Sequence, residues 1–197
     1  MKPRRAPELT RQTIVGFLAG IFERRGGEEY LGEPVTMAEH MLQGAHFAEQ
    51  AGESEEIIVA ALLHDIGHFT SEFGTFSMAD TEDCHHEDAG AEVLAPFFPS
   101  IVTDCVKYHV AAKRYLCATR PDYFRRLSQA SIHSLNLQGG PMTAAEIAAF
   151  EENPNLADIV KVRHYDEAGK RADFATAPFA HYAPMVQRVV DRHCLSA

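Results

Sequence analysis

Residues 60–68 read Ala60-Ala61-Leu62-Leu63-His64-Asp65-Ile66-Gly67-His68. The first four are apolar and continue a helical pattern, and His64 and Asp65 stand side by side where that helix ends. A helix that only packs into a core has no reason to carry an imidazole and a carboxylate there. Neutral imidazole and carboxylate are good ligands for first-row metals. The stretch therefore predicts a metal site at the end of a core helix.

Further metal-binding side chains lie on both sides of this stretch. His40 precedes it, and His86, His109 and Asp166 follow it. Four imidazoles and two carboxylates are too many for one catalytic ion with open positions, but they suit two ions bridged by one carboxylate. Asp65 is the natural bridge. Nitrogen and oxygen ligands without thiolate are compatible with iron, manganese or zinc, and the ligand set alone does not choose between them.

Composition and charge narrow the class of protein. The chain has 197 residues, of which 46% are hydrophobic, and this suits one compact domain over residues 1–197. Its 18 Lys and Arg against 28 Asp and Glu give a net charge of −10, which repels nucleic acid and anionic membranes. We therefore expect no nucleic-acid or membrane partner, and an anionic substrate needs a local positive site.

The cysteines and the first residues bear on localisation. No CxxC spacing is present, so neither a zinc ribbon nor a disulfide framework is indicated. Basic residues before the apolar run at residues 14–22 could pass for a short signal peptide. However, no small-residue cleavage site follows, and the apolar side chains fall on one helical face until Gly26-Gly27 ends the helix. We expect a cytoplasmic protein.

The pattern along the chain is helical throughout. No segment alternates convincingly with period two, so the predicted fold class is all-α. Capping-box patterns start two helices, one at Thr36 with Glu39 and one at Thr143 with Glu146. The predicted helices cover residues 14–25, 36–50, 54–65, 86–97, 100 to the break at Arg120-Pro121, 123–137, 143 onward, 156–170 and 184–193. A polar, aromatic-rich loop separates His68 from His86.

The order H…HD…H…H…D resembles the HD-domain superfamily of metalloenzymes. Several site neighbours narrow the resemblance: Tyr30-Leu31-Gly32-Glu33, Lys113, Ser131, Ser134, residues 138–142 and Arg163. With them the chain resembles, over roughly residues 22–185, the HD-domain mixed-valent diiron oxygenases that cleave organophosphonates. The resemblance implies a helical bundle around two irons, Fe(II) and Fe(III), with O2 as cosubstrate. It assigns one iron to His40, His64, Asp65 and Asp166, and the other to Asp65, His86 and His109.

The same resemblance implies roles for residues around the metals. Tyr30 occupies an open iron position at rest, and Glu33 holds it by a hydrogen bond until substrate displaces both. The plain alternative for Tyr30 is an ordinary interfacial aromatic. A phosphonate cradle is implied for His68, Lys113, Ser131, Ser134 and Arg163. A tetrahedral dianion needs several donors, and the one-turn spacing of Lys113 and Arg163 from predicted ligands favours this role over a solvated helix face.

The amine end of the substrate is predicted from aromatic residues. Phe69, Phe73 and Phe76 lie with acidic neighbours in the loop after His68, and Tyr165 stands where the family leads us to expect tryptophan. Aromatic faces and carboxylates suit a quaternary ammonium. We expect (R)-1-hydroxy-2-(trimethylammonio)ethylphosphonate, giving glycine betaine and phosphate. The alternative is the primary amine, giving glycine, since the phenylalanines could also be core.

Two other functions use the same ligands. A metal-dependent HD phosphohydrolase would act on a phosphate ester with an activated bridging water, but it does not explain Tyr30 and Glu33. A noncatalytic metal or ligand sensor would predict a lost ligand or an output domain, and the sequence indicates neither. The expected partner is therefore a small organophosphonate, and the sequence leaves the oligomeric state open.

Overall fold

A computed structural model describes residues 9–30, 32–70 and 85–196. Helices dominate these residues. In chain order they are α1 (Ile14–Arg25), α2 (Met37–Gln50), α3 (Glu55–Leu63), α4 (Gly67–Thr70), α5 (His86–Leu94), α6 (Ser100–Thr119), α7 (Pro121–Phe124), α8 (Gln129–Leu137), α9 (Ala144–Glu151), α10 (Leu156–Ala168) and α11 (Phe179–Ser196). The only strand-like pairing among the described residues is one isolated bridge between Glu29 and Thr36. The all-α prediction is confirmed.

Helix α3 lies at the centre of the bundle. Seven consecutive residues from Ile57 to Leu63 are buried, and the helix contacts α2, α6, α10 and α11. A helix that is apolar on every face is stable only when neighbours cover it on every face. Its C-terminal end, where His64 follows Leu63, therefore opens into the interior of the bundle. No described helix is both long and apolar enough to cross a lipid bilayer.

Local capping starts the helices where the sequence predicts. Thr36 accepts from the Glu39 backbone N–H at 3.2 Å, and the Glu39 carboxylate accepts from the Thr36 N–H at 2.7 Å. Thr143 and Glu146 form the same reciprocal pair before α9. Each box satisfies two backbone donors that the first turn leaves without partners.

Two predicted helix boundaries are wrong. The helix expected over residues 123–137 is broken, because Ser128 is extended and its hydroxyl accepts from the Ser131 N–H at 3.0 Å, which starts α8 afresh. The last helix begins at Phe179, with Pro184 inside it. Burial of Tyr182, Val186 and nearby valines along one face outweighs a proline cost of about 3 kcal/mol.

Candidate functional site

Five elements bring the six predicted metal ligands together in the middle of the bundle. Helix α2 supplies His40, the turn after α3 supplies His64 and Asp65, α5 supplies His86, α6 supplies His109 and α10 supplies Asp166. All six are buried, with between 0% and 7% of their surface exposed. Burying this many polar groups is unfavourable unless they bind one another or a cation.

Asp65 lies between two pairs of imidazoles. Its Oδ2 is 3.4 Å from Nε2 of His40 and 3.4 Å from Nε2 of His64. Its Oδ1 is 3.4 Å from Nε2 of His86 and 3.2 Å from Nε2 of His109. Asp166 joins the first pair, with Oδ1 3.5 Å from His40 Nε2. The two oxygens of one carboxylate thus face two separate donor groups, as a bridging ligand requires.

Backbone carbonyls orient three of the four imidazoles. In each, Nδ1 lies at hydrogen-bond distance from a carbonyl oxygen: His40 with Gly169 (3.0 Å), His64 with Ala61 (2.8 Å) and His109 with Val106 (2.7 Å). A carbonyl can only accept, so Nδ1 carries the hydrogen and donates. A neutral ring then keeps a lone pair on Nε2, the atom that faces Asp65. Without a metal, burial lowers the pKa of His64 but the Asp65 carboxylate raises it to about 9, so a metal that binds this ring replaces a proton.

The Nε2 atoms face one another in two pairs. The two nitrogens are 2.9 Å apart in His40 and His64, and 3.2 Å apart in His86 and His109. Two ring nitrogens at this distance repel unless a proton or a metal cation lies between them. Metal–ligand bonds of about 2.1 Å at right angles place neighbouring ligands about 3.0 Å apart. The donor spacing therefore fits a metal ion at each pair.

Two carboxylate oxygens support the same conclusion. Asp65 Oδ2 and Asp166 Oδ1 are buried and have no hydrogen-bond partner within the described part of the chain. Burial alone raises the pKa of Asp65, but the imidazoles around it, His64 foremost, hold that pKa well below its usual value. Asp65 therefore stays ionised. An ionised, buried acceptor without a donor is a position for a cation.

His68 lies beside the second imidazole pair. Its ring stacks on that of His86 at 3.9 Å between centroids, and its Nε2 is 4.0 Å from Asp65 Oδ1. Burial and the neighbouring imidazole of His86 lower its pKa, so the ring is neutral. Asp65, His68 and His86 also lie close enough to hold one ion. The residue predicted to bind substrate is thus placed next to the second metal position.

Two glycines allow the elements around the metals to approach closely. A Cβ on Gly67 would lie 1.7 Å from the carbonyl oxygen of His86, so only glycine lets α4 contact α5 there. A Cβ on Gly169 would lie 2.7 Å from the carbonyl oxygen of His40. That approach also brings the Gly169 carbonyl to His40 Nδ1. Both glycines therefore set the positions of imidazoles.

A small cavity, with a volume of about 30 Å³, opens beside the predicted ligands. All seven residues predicted to act on substrate line it: Tyr30, Glu33, His68, Lys113, Ser131, Ser134 and Arg163. Its lining also includes Gln138, from the stretch 138–142 that contributes to the family resemblance. Val110, Ala130 and Lys170 line it as well, and no sequence pattern indicated them. The lining combines Lys113, Arg163 and Lys170 with three carboxylates, those of Glu33, Asp65 and Asp166. The three cations are the charged groups of this cavity that can bind an anion.

The predicted cations of the cavity are buried and held in place. Lys113 donates to the Ser134 hydroxyl at 2.7 Å, and burial lowers its pKa to about 7. Arg163 donates to the Tyr123 hydroxyl at 2.7 Å and contacts the carboxylates of Asp166 and Glu167. Burial lowers the pKa of Arg163, but the groups around it, Asp166 foremost, raise that pKa above its usual value. The guanidinium therefore stays charged.

Tyr30 and Glu33 close one side of the cavity. The Tyr30 ring stacks on His40 at 3.9 Å between centroids, and burial raises its pKa well above the usual value. The Glu33 backbone N–H donates to the Tyr30 carbonyl at 2.7 Å. The Glu33 carboxylate accepts from the Ser128 hydroxyl at 2.5 Å and lies 3.5 Å from Lys170 Nζ. The structure thus links Glu33 to Tyr30 through the backbone, whereas the carboxylate binds other elements.

The structure gives packing contacts to Phe69 and Tyr165, two of the aromatic residues considered for the amine end of the substrate. Phe69 packs against a cluster that includes Tyr30 and lies 4.8 Å from the Arg25 guanidinium, and it is not among the residues that line the cavity. Tyr165 donates to Glu53 at 2.9 Å on another face of α10. Both rings have packing roles, because other residues of the protein already contact them. The positions Phe73 and Phe76 lie outside the described residues.

Comparison with known proteins gives consistent matches. The family model for the HD domain matches residues 37–189. The chain is 73% identical over 186 residues, 94% of its length and 95% of the relative's, to a [1-hydroxy-2-(trimethylamino)ethyl]phosphonate dioxygenase (glycine-betaine-forming) of Leisingera caerulea. It is 49% identical over 145 residues, 73% of its length and 72% of the relative's, to a hydroxymethylphosphonate dioxygenase of Gimesia maris.

A third relative is more distant. It is an uncharacterised protein of Acanthamoeba polyphaga mimivirus, 35% identical over 170 residues, which are 85% of this chain and 78% of the relative. The matched region of the HD model contains all six predicted ligands, from His40 to Asp166. The model match covers most of the chain, and two of the three relatives are phosphonate dioxygenases. The chain therefore belongs to the HD-domain family.

Proposed function

We propose that the protein is a dioxygenase that cleaves the carbon–phosphorus bond of (R)-1-hydroxy-2-(trimethylammonio)ethylphosphonate. The products are glycine betaine and phosphate, so one new C–O bond and one new P–O bond account for both atoms of O2. The observation that carries this proposal is the 73% identity, across 94% of the chain, to a dioxygenase named for that substrate. The cationic cavity beside a dinuclear donor set supplies the chemistry that such a reaction needs.

The metals in this proposal are two irons, Fe(II) and Fe(III). His40, His64, Asp65 and Asp166 hold one, and Asp65, His86 and His109 hold the other. When bound, the pair supplies the redox chemistry and the activation of O2. Asp65 is the one residue shared by both sites, and this sharing fits its two oxygens, which face different imidazole pairs.

The protein's own residues bind and orient the substrate. Arg163 gives the phosphonate a permanent positive charge, and a bound dianion favours the protonated form of Lys113, whose pKa burial lowers to about 7. His68, Ser131 and Ser134 give further hydrogen-bond donors. Because the cavity is buried, these charges act in a medium of low dielectric and few competing waters. Their fixed positions set the phosphonate at one end of the cavity and leave C1 beside the metals.

Tyr30 and Glu33 form a guard at the metal site. Tyr30 lies on a predicted ligand, His40, and fills space that the substrate needs. Displacement of Tyr30 and Glu33 by substrate would leave this side of the cavity accessible to O2 only when there is something to oxidise, which is an induced-fit use of binding energy. A hydrolase has no comparable need to exclude O2, and we therefore favour the dioxygenase over a phosphohydrolase.

The central test is oxygen dependence. Iron-loaded protein is incubated with the trimethylated substrate in air and under strict anaerobic conditions, and phosphate and glycine betaine are measured. We expect both products in equal amounts in air and neither without O2. Normal anaerobic release of phosphate, or much faster cleavage of ordinary phosphomonoesters, would identify the protein as a phosphohydrolase.

The substrate preference is a separate prediction. Trimethylammonium is weakly hydrated and gains dispersion and cation–π attraction, whereas a primary ammonium loses hydration that needs well-placed acceptors. We expect kcat/KM for the trimethylated substrate to exceed that for the primary amine by at least about tenfold, or roughly 1.4 kcal/mol. Equal or reversed constants contradict this preference.

A further inference from the structure

We propose that Lys170 is a positioning residue that couples anion binding in the cavity to release of the guard. The guard segment is Tyr30 together with residues 32–35. Lys170 follows α10 directly after Gly169, and its Nζ lines the same cavity as the predicted phosphonate donors. The proposal rests on the proposed function only in taking the bound anion to be a phosphonate.

The ammonium of Lys170 already has two hydrogen-bond acceptors and a further ion-pair partner. Its Nζ is 2.8 Å from the Ser131 hydroxyl, 3.3 Å from a Glu167 carboxylate oxygen and 3.5 Å from Glu33 Oε1. The side chain is only 11% exposed, so water does not supply a ready substitute. A lysine ammonium has three hydrogens to donate. Ser131 and Glu167 use two of them, so Glu33 and a bound anion compete for the third.

Glu33 is the acceptor to be released. Its distance to Nζ is the longest of the three, so its interaction is the weakest. A phosphonate bound at Ser131 comes within reach of Nζ, because that hydroxyl is only 2.8 Å away. A dianion competes strongly for the ammonium. Anion binding therefore draws Lys170 away from Glu33.

Loss of this ion pair loosens the guard segment. Two backbone hydrogen bonds lie within the segment itself, from the Tyr30 N–H to Val35 O at 3.2 Å and from the Glu33 N–H to Tyr30 O at 2.7 Å. The Glu33 carboxylate ties it to two distant elements, through Lys170 after α10 and through Ser128 before α8. Removing one of these ties leaves the Ser128 hydroxyl alone to hold the carboxylate. The Tyr30 ring, joined to Glu33 by backbone, can then leave His40.

Amide hydrogen exchange tests the coupling without turnover. Iron-loaded protein is kept anaerobic, and exchange of the Tyr30 and Glu33 amides is followed by mass spectrometry with and without methylphosphonate, which lacks the C1 hydroxyl. In the wild type we expect methylphosphonate to speed exchange about tenfold, the effect of one charge-assisted hydrogen bond. In Lys170→Met, exchange is fast without ligand, and methylphosphonate adds less than about twofold.

Lys161→Met is the matched control. Lys161 lies on α10 and pairs with Glu53 and Asp158 at the surface, away from the cavity. It should exchange and respond as the wild type does. The proposal is overturned if methylphosphonate speeds exchange in Lys170→Met as much as in the wild type, or if the guard amides of Lys170→Met exchange at the wild-type rate.

An isosteric variant of Glu33 gives a second test, in which the expected change is tighter binding of methylphosphonate. Glu33→Gln removes the competitor for Lys170, so methylphosphonate should bind at least about threefold more tightly than to the wild type. In the Lys170→Met background the same change should alter affinity less than twofold, whereas simple repulsion between Glu33 and the anion would persist there. An equal gain in both backgrounds contradicts the coupling. These binding results stand apart from phosphate release in air, which tests the proposed function.

Discussion

Asp65→Asn is expected to lose most of both bound metal ions and at least about a thousandfold in activity. The substitution keeps the shape of the side chain but removes the charge that faces all four imidazoles. A carboxylate shared between two ions serves both sites, so both are weakened by one change. A bound metal contributes several kcal/mol of transition-state stabilisation, and each 1.36 kcal/mol is tenfold in rate.

Metal analysis and single-ligand variants separate a bridge from an ordinary ligand. His109→Ala should empty one site and leave most of the other ion, because His109 faces Oδ1 alone. Asp158→Asn is the matched control, since this carboxylate lies on α10 and pairs with Lys161 at the surface. It should bind metal and turn over as the wild type does. Circular dichroism shows whether each variant keeps its helices.

Two results would contradict the prediction that Asp65 bridges two irons. If Asp65→Asn keeps one full equivalent of metal and loses only the other, Asp65 belongs to a single site. If active wild-type protein contains one zinc in near-stoichiometric amount, the diiron proposal is wrong. In either case the facing Nε2 lone pairs of each histidine pair need another explanation, such as a shared proton.

Local patterns predicted much of this fold. Capping boxes at Thr36 and Thr143 placed helix starts correctly, because a cap is decided by residues three apart. The apolar run ending at His64 identified the central helix, because burial on every face leaves a continuous apolar signature. The same reasoning failed at Ser128. Its hydroxyl can cap a new helix or sit within a longer one, and the sequence alone does not show which backbone conformation Ser128 adopts.

Sequence spacing predicts site residues when they lie on the same helix as a predicted ligand. Lys113 and Arg163 stand one turn from predicted ligands and do line the cavity. Lys170 stands four residues after Asp166, so the same spacing could have found it, although α10 ends at Ala168 before it. Its contacts with Glu33 and Ser131 join segments far apart in the chain. Such contacts depend on how helices pack, and no local pattern encodes them.

The aromatic residues show a second limit of prediction from sequence. Phe69 looked suited to a quaternary ammonium, yet the fold places the Arg25 guanidinium 4.8 Å from its ring. Arg25 also donates to the Phe69 carbonyl at 3.1 Å. A cation–π partner supplied by the protein itself looks the same in sequence as one left free for substrate. The trimethylammonium prediction therefore depends on the relative named for that substrate, and not on Phe69.

Lys113→Met is expected to reduce kcat/KM for the phosphonate by roughly 30-fold to 1000-fold. The variant keeps the apolar stem and removes one charged donor from a buried cavity, where the loss of a charge-assisted contact costs about 2 to 4 kcal/mol. Lys113 bonds to Ser134, and not to a predicted metal ligand, so the metal content should stay at the wild-type level. Arg163→Ala should affect both quantities, because Arg163 also contacts Asp166.

Lys107→Met provides the control that makes this result specific. Lys107 lies on α6 with Lys113, but its side chain is 47% exposed and lies 3.8 Å from Asp88. Both variants lose one positive charge from one helix, so any general effect of net charge is the same in both. A large loss in Lys113→Met alone, with two metals still bound, requires a contact with the substrate inside the cavity. Similar kinetics in the two variants would instead mean that the Lys113 ammonium contributes nothing to binding, and the phosphonate would then have to be held by Arg163 and the metals.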